Sequence, residues 1–444
     1  MNLMMNLHNK IAAAKETSWT TIALGSRLAF QALYYVMLAR ALGAQGLGIF
    51  ASALALVNVF VPFSGLGGGN LIVKYVARDR SALGYYFSHA VRTLLITGLM
   101  LLCLSVALHR VALGPSVGWE LVALVGVAEL LVLRYVETIV QTLQAVDRLD
   151  LMARVQFLIG AIRLLSVVVC LCIARHPSVI TFALCYFGAG FVNAVLSRAM
   201  LKKLVGTLKP TTETNSALGR RLFEGTPFAV GVASKSIYTD IDKTMLTRMV
   251  SADVTGVYTI ATRLITVGFT PIQAAIMSSN TRLFKKGAHG LLPALDLAKR
   301  MLPFLLCYAV AVGIGLYLIA PLLPALLGPS FAKSVSIVRC LTFLPIIQTI
   351  HFLLGDTLMG ADLQGLRSAC QLFVAGINVG LNLWLIPLLG WHGAIIATFS
   401  TEGTLAVFMI ILVIWYGRKE LRRVAANRTN LPEVELNAIN MEIA

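Results

Sequence analysis

Charge is what this 444-residue sequence lacks most: Asp, Glu, Lys and Arg together make up only 13% of it. A soluble domain carries about a quarter, so a globule surrounded by water is excluded. With 58% hydrophobic residues and a mean hydropathy of +0.81, the chain reads as an integral membrane protein. Acids are scarcer than bases, 20 against 37, for a net charge of +17. Nucleic acid is not the reason, because the bases sit in short loops between apolar runs, where membrane topology places them. All seven cysteines fall in apolar runs without zinc spacing and read as small buried hydrophobes. No metal and no cofactor is therefore expected. A GxxxxGK[ST] loop is also missing, which excludes ATP as the direct energy source. The opening MNLMMNLHNKIAAAKE has no small-residue cleavage site and reads as a cytoplasmic amphipathic lead-in.

What the sequence has in plenty is apolar segments of about 20 residues, each long enough to span a bilayer. Twelve recur, at 18–40, 47–70, 90–108, 117–139, 152–174, 178–200, 227–249, 256–279, 301–320, 334–355, 368–389 and 393–416. The longest polar break, 201–226, divides them six and six. The expected organisation is a lead-in (1–17), a six-helix bundle (18–200), a cytoplasmic linker (201–226), a second six-helix bundle (227–417) and a cytoplasmic tail (418–444). One set of loops holds Lys74, Arg78, Arg80, Arg148, Lys202, Lys203, Lys285, Lys286 and Arg367 among others. The opposite set has only Arg40, Arg110, Arg175, Arg248 and Lys333. That bias puts both termini in the cytoplasm. The outer loops are short, which leaves no room for an external enzyme site.

Offsetting the sequence by 208 residues lays 25–50 (GSRLAFQALYYVMLARALGAQGLGIF) over 233–258 (ASKSIYTDIDKTMLTRMVSADVTGVY) without a gap. Arg27 meets Lys235, Arg40 meets Arg248, Ala44 meets Ala252 and Gly48 meets Gly256. With six spans per half, both halves have one orientation. The expectation is an all-α membrane protein of twelve transmembrane helices, in two parallel six-helix repeats around a central cavity.

Charges inside these spans need a reason, since each costs roughly 2.5–3.5 kcal/mol at the centre of a lone membrane helix. The segment GVASKSIYTDIDKTMLTRM (231–249) alone carries Lys235, Asp240, Asp242 and Lys243. Asp240 and Lys243 are spaced to pair at i,i+3, as are Arg134 and Glu137. Arg27 and Lys235, at matching depth in the two halves, read as cations facing a shared cavity. Gln31 and Tyr34 continue the face of Arg27, and Thr239 and Asp242 that of Lys235. Span 11 adds Asn378. Intramembrane bases (Arg27, Arg134, Arg163, Lys235, Lys243, Arg263) outnumber acids (Glu129, Glu137, Asp240, Asp242, Glu402), which suits an anionic substrate and in particular phosphate oxygens.

Four stretches then carry a likeness: LARALGAQGLGIFASALALVNVF (38–60), IDKTMLTRMVSADVTGVYTIATRL (241–264), LLGPSFAKSVSIVRCLTFLP (326–345) and NVGLNLWLIPLLGWHGAIIAT (378–398). In that order the chain resembles the polysaccharide-transporter branch, the O-antigen flippases, of the multidrug/oligosaccharidyl-lipid/polysaccharide superfamily. The resemblance implies a MATE-like fold and a flippase, not an enzyme, in the bacterial inner membrane. Its implied substrate is an undecaprenyl-pyrophosphate-linked oligosaccharide, with the polyprenyl tail left in membrane lipid. Its implied partners are the polymerase and chain-length proteins of the same pathway, and no nucleic acid. It gives a substrate-binding role to Arg27 and Lys235, and to Arg163, Lys243 and Arg263. Coupling to H+ or Na+ through Asp240, Asp242 or Glu402 is compatible with these residues. The rivals are a cation-coupled multidrug antiporter of the same superfamily and a membrane oligosaccharide polymerase or ligase.

Overall fold

The computed structural model describes backbone and side chains for residues 30–77, 79–174, 177–204, 229–230 and 232–422. For 2–29, 205, 215–228, 231 and 423–429 it describes the helical backbone alone. Among the described residues every regular element is a helix. In the N-terminal half these are α1 (Asn2–Phe60), α2 (Gly68–Val76), α3 (Leu83–Leu113), α4 (Trp119–Gly126), α5 (Arg134–Ala145), α6 (Leu149–Ile173) and α7 (Val179–Val205). The C-terminal half contributes α8 (Asn215–Met249), α9 (Ala252–Gly287), α10 (Leu291–Ile319), α11 (Leu323–Leu327), α12 (Ser334–Leu341), α13 (Leu344–Gly360), α14 (Gln364–Leu389) and α15 (Trp391–Thr429).

Eight helices among the described residues are long and apolar enough to cross a membrane, and the bent pair ending in α13 makes nine. One of the eight, Phe30–Val76, holds two spans, because Gly43 breaks α1 with a φ of 66° that a residue lacking Cβ adopts readily. The α4–α5 unit, interrupted by a π-helical turn at Val127–Leu133, and the charge-laden α8 complete the twelve. Helix pairings repeat between the halves: α1 packs on α6 as α8 packs on α14, and α6 on α7 as α14 on α15. The protein is thus two six-span repeats around a central cavity.

Several elements differ from the expectation. Span 2 is not one helix: α1 ends at Phe60, Pro62 lies in a 3-10 turn, and Gly65, Leu66 and Gly67 take positive φ before α2 begins. Span 10 is bent by 51° between α12 and α13, where Pro345 opens the second piece. Helices α7 and α8 reach into the stretch read as linker, and α15 runs to Thr429 where a tail was expected from 418. Positions 206–214 and 430–444 lie outside the described residues. At the start of α6, Arg148 grips Asp150 at 2.8 and 2.9 Å.

The halves meet most closely where α1 and α9 cross. A Cβ on Gly48 would fall 1.8 Å from the carbonyl oxygen of Ala252, and one on Gly256 would fall 1.9 Å from that of Ala44. These are the glycines and alanines that the 208-residue offset superposes. Backbones can touch there only because neither glycine has a side chain.

Candidate functional site: a polar seam between the halves

Helices α1, α8 and α9 bring the central charges together because each contributes one polar stripe to the seam. Tyr35 and Asn58 of α1, Asp240 and Lys243 of α8, and Thr259 and Arg263 of α9 line one pocket. Within it Lys243 Nζ lies 2.6 Å from Asp240 Oδ1, the i,i+3 pair that the spacing suggests. Asn58 donates to the other oxygen of Asp240 at 3.5 Å. Arg263 rests its guanidinium over the Tyr35 ring, 5.2 Å from the centroid.

Lys235 is exposed on α8, nearly four turns from Met249, with Nζ 4.9 Å from the centroid of the Phe352 ring. Thr239 is exposed one turn on, as is Thr266 on α9, with Thr270 half-buried one turn beyond it. Among the described residues neither Lys235 nor Arg263 is within ion-pair distance of a carboxylate. An ammonium or guanidinium parked on a ring keeps its full charge for an incoming anion. The side chain of Arg27, the expected counterpart of Lys235, lies outside the described residues.

Other expected site residues are placed differently. Arg163 is not free: it pairs with Glu129 at 3.2 Å and with the hydroxyl of Tyr186, which also donates to Glu129. Lys243 is 3% exposed and neutralised by Asp240, so it cannot also clamp a substrate anion. Tyr34 is buried in the N-terminal core beside Tyr35 and Phe182. Gln31 is half-buried. Asn378 is buried between α14 and α15, donating to Thr401 and accepting from Asn382.

The three candidate coupling acids have three different surroundings. Asp240 has Lys243. Asp242 is 4% exposed and accepts from the Tyr258 hydroxyl at 2.7 Å and from the Lys243 backbone N–H. Tyr258, not Arg263, is therefore its partner from another helix. Glu402 is buried with its Oε2 2.6 Å from His351 Nε2, and its Oε1 accepts from Gln348 at 2.9 Å. His351, Gln348, Tyr186 and Phe352 escaped the sequence reading. The signal was there for His351: a mid-span Glu must find a partner, and a polar side chain in span 10 was available.

Among the described residues the bundle is thus two repeats that meet at a polar seam. Solved structures share this fold. It overlays an inward-facing multidrug resistance MATE transporter of the MOP superfamily with a TM-score of 0.72, at 16% identity over 91% of this chain and 96% of that one. The outward-facing form of such a transporter gives 0.61, at 15% identity over the same shares. A MOP superfamily transporter from Pyrococcus furiosus, described as having a binding pocket of reverse polarity, gives 0.62 at 15% identity over 90% and 95%. No curated protein matches the sequence. The chain belongs to the polysaccharide biosynthesis protein family, whose sequence profile matches residues 13–279.

Proposed function

We propose that this protein is a flippase that carries a polyprenyl-pyrophosphate-linked oligosaccharide across a bacterial inner membrane by alternating access, for surface polysaccharide biosynthesis. One observation carries the reading: Lys235 and Arg263 of the α8–α9 hairpin rest on aromatic rings, and among the described residues neither is within ion-pair distance of a carboxylate. Counted from their helix ends at Met249 and Ala252, they lie 14 and 11 residues deep, within about one turn of each other at 1.5 Å per residue. A pyrophosphate needs two or more cations at one depth, sugars need a wet stripe such as Thr239, Thr266 and Thr270, and the tail needs only lipid. Arg27 is the third cation of this reading. The orientation follows the loop charges, with both termini cytoplasmic.

The MATE-like overlap supports a second reading, a cation-coupled multidrug antiporter. A seam for cationic drugs would present free acids, yet Asp240, Asp242 and Glu402 all have partners here. A polymerase or ligase would need a larger external loop than these turns supply. The discriminating experiment is reconstitution in liposomes with a fluorescent polyprenyl-pyrophosphate oligosaccharide and, separately, with cationic dyes. Translocation of the lipid-linked sugar alone supports the flippase, and dye export alone supports the antiporter.

A further inference from the structure

The repeat superposes Arg40 on Arg248 as well as Gly48 on Gly256, and a substrate clamp in the seam accounts for neither arginine. Both sit at the glycine crossing, at the ends of α1's first arm and of α8. Arg40, in the N-terminal half, reaches into the other half: Nε donates to the carbonyl of Leu326 at 2.6 Å and Nη2 to that of Ala325 at 3.4 Å. Those carbonyls belong to the last turn of α11, whose C-terminal oxygens have no partner within the helix. Arg248, in the C-terminal half, lies against Gly114, the residue that ends α3 of the N-terminal half. A Cβ there would come within 3.3 Å of its Cδ and Nη1. Gly114 and Gly328, which end these two helices, both have positive φ (75° and 112°). Each arginine therefore docks on a helix C-terminus of the opposite half, where the macrodipole favours a cation.

We infer that Arg40 and Arg248 are paired latches that hold this end of the seam shut, and that both must release for the halves to part there. The glycine crossing lets the backbones touch, and a buried apolar cluster spans both halves around it. Arg40 adds charge-assisted hydrogen bonds across the interface, and Arg248 places its guanidinium against the end of α3, contacts that belong to the closed arrangement. A contact present in one state and absent in the other shifts the balance between them. Because the latches are related by the repeat, losing both removes the polar contact on either side of the crossing and leaves the apolar packing to hold it. The inference presumes alternating access, but neither a particular substrate nor an orientation.

Ser52 supplies the reporter: it is fully buried one turn beyond Gly48 on the same face of α1. In a background with all seven cysteines replaced, Ser52→Cys is placed in lipid nanodiscs, where both membrane faces are accessible, and the rate of labelling by a water-soluble maleimide is measured. The expected result is slow labelling, rising about tenfold in Arg40→Ala/Arg248→Ala. The Arg40→Lys/Arg248→Lys variant, which keeps the charge at both helix ends, stays close to the starting rate. Gly256→Ala, which pushes the crossing backbones apart, raises the rate and shows that the reporter senses opening. Ser166→Cys, buried on α6, must remain unlabelled in the double alanine variant. An unchanged Ser52→Cys rate in that variant while Gly256→Ala responds would overturn the inference. So would labelling of Ser166→Cys, which would mean that the bundle has loosened as a whole. Since no substrate is used, either result is independent of the flippase assay.

Discussion

Lys243 and Asp240 form a buried ion pair one helical turn apart, with Nζ 2.6 Å from Oδ1 and the lysine side chain only 4% exposed. Removing one member of a buried pair costs about 3–5 kcal/mol, whereas removing both is far milder. Lys243→Met and Asp240→Asn should each lower membrane abundance and the melting temperature in detergent. The double variant should recover most of both. A double variant no more stable than the singles would show that Asp240 relies on Asn58 or Arg263 instead.

Lys235 and Arg263 should behave in the opposite way, because among the described residues neither is within ion-pair distance of a carboxylate. Lys235→Ala and Arg263→Ala should leave abundance near normal and weaken binding of a polyprenyl pyrophosphate about tenfold or more, the loss of one charge-assisted contact. Lys235→Arg should keep part of the affinity. Titration of the purified variants with the lipid in detergent reads this directly. Unaltered affinity in Lys235→Ala/Arg263→Ala would remove the clamp.

Asp242 and Tyr258 form a different kind of pair, a carboxylate held by a phenol at 2.7 Å. Asp242→Asn keeps the shape and an acceptor, so the protein should accumulate normally. Lost transport in that variant would mark the charge as functional. Neutralising Arg263 should not rescue any loss of abundance, since Asp242 does not touch it. Rescue by Arg263→Gln would contradict the observed partnership.

Glu402 alone among the three acids is paired with a histidine, its Oε2 lying 2.6 Å from His351 Nε2. Glu402→Gln is expected to retain abundance and to abolish stimulation of transport by an imposed proton gradient, while exchange without a gradient continues. His351→Leu should be less stable than Glu402→Gln, because it strands the carboxylate. Gradient stimulation surviving in Glu402→Gln would take this residue out of coupling.

Orientation is read by single cysteines at Ser116 and Lys333, both exposed in turns at one end of the bundle, and at Lys285, exposed near the other end. In intact cells the first two should react with an impermeant thiol reagent and Lys285→Cys should not. Ser251 is a poorer probe because its hydroxyl caps α9 by accepting from the Val254 N–H.

The sequence by itself determined the helical class, the twelve spans, the twofold repeat and the local pairs. Hydropathy and loop charge are properties of contiguous segments. The i,i+3 contacts Asp240–Lys243 and Arg134–Glu137 follow from helix pitch alone. Tertiary structure decided which partner each remaining charge takes. Glu402 meets His351 across α15 and α13, Arg163 meets Glu129 and Tyr186 across three helices, and Asp242 meets Tyr258 across α8 and α9. Helical periodicity gives the face a residue lies on, but not which neighbour rotates its own polar face to meet it. The same limit explains Tyr34, on a polar stripe by spacing yet buried against Phe182 once α7 packs there. Gly48 and Gly256 stood out in the repeat only as coincident letters. That they are where the halves touch followed from the crossing of α1 and α9, because backbone contact between helices depends on their relative placement, which no single segment encodes.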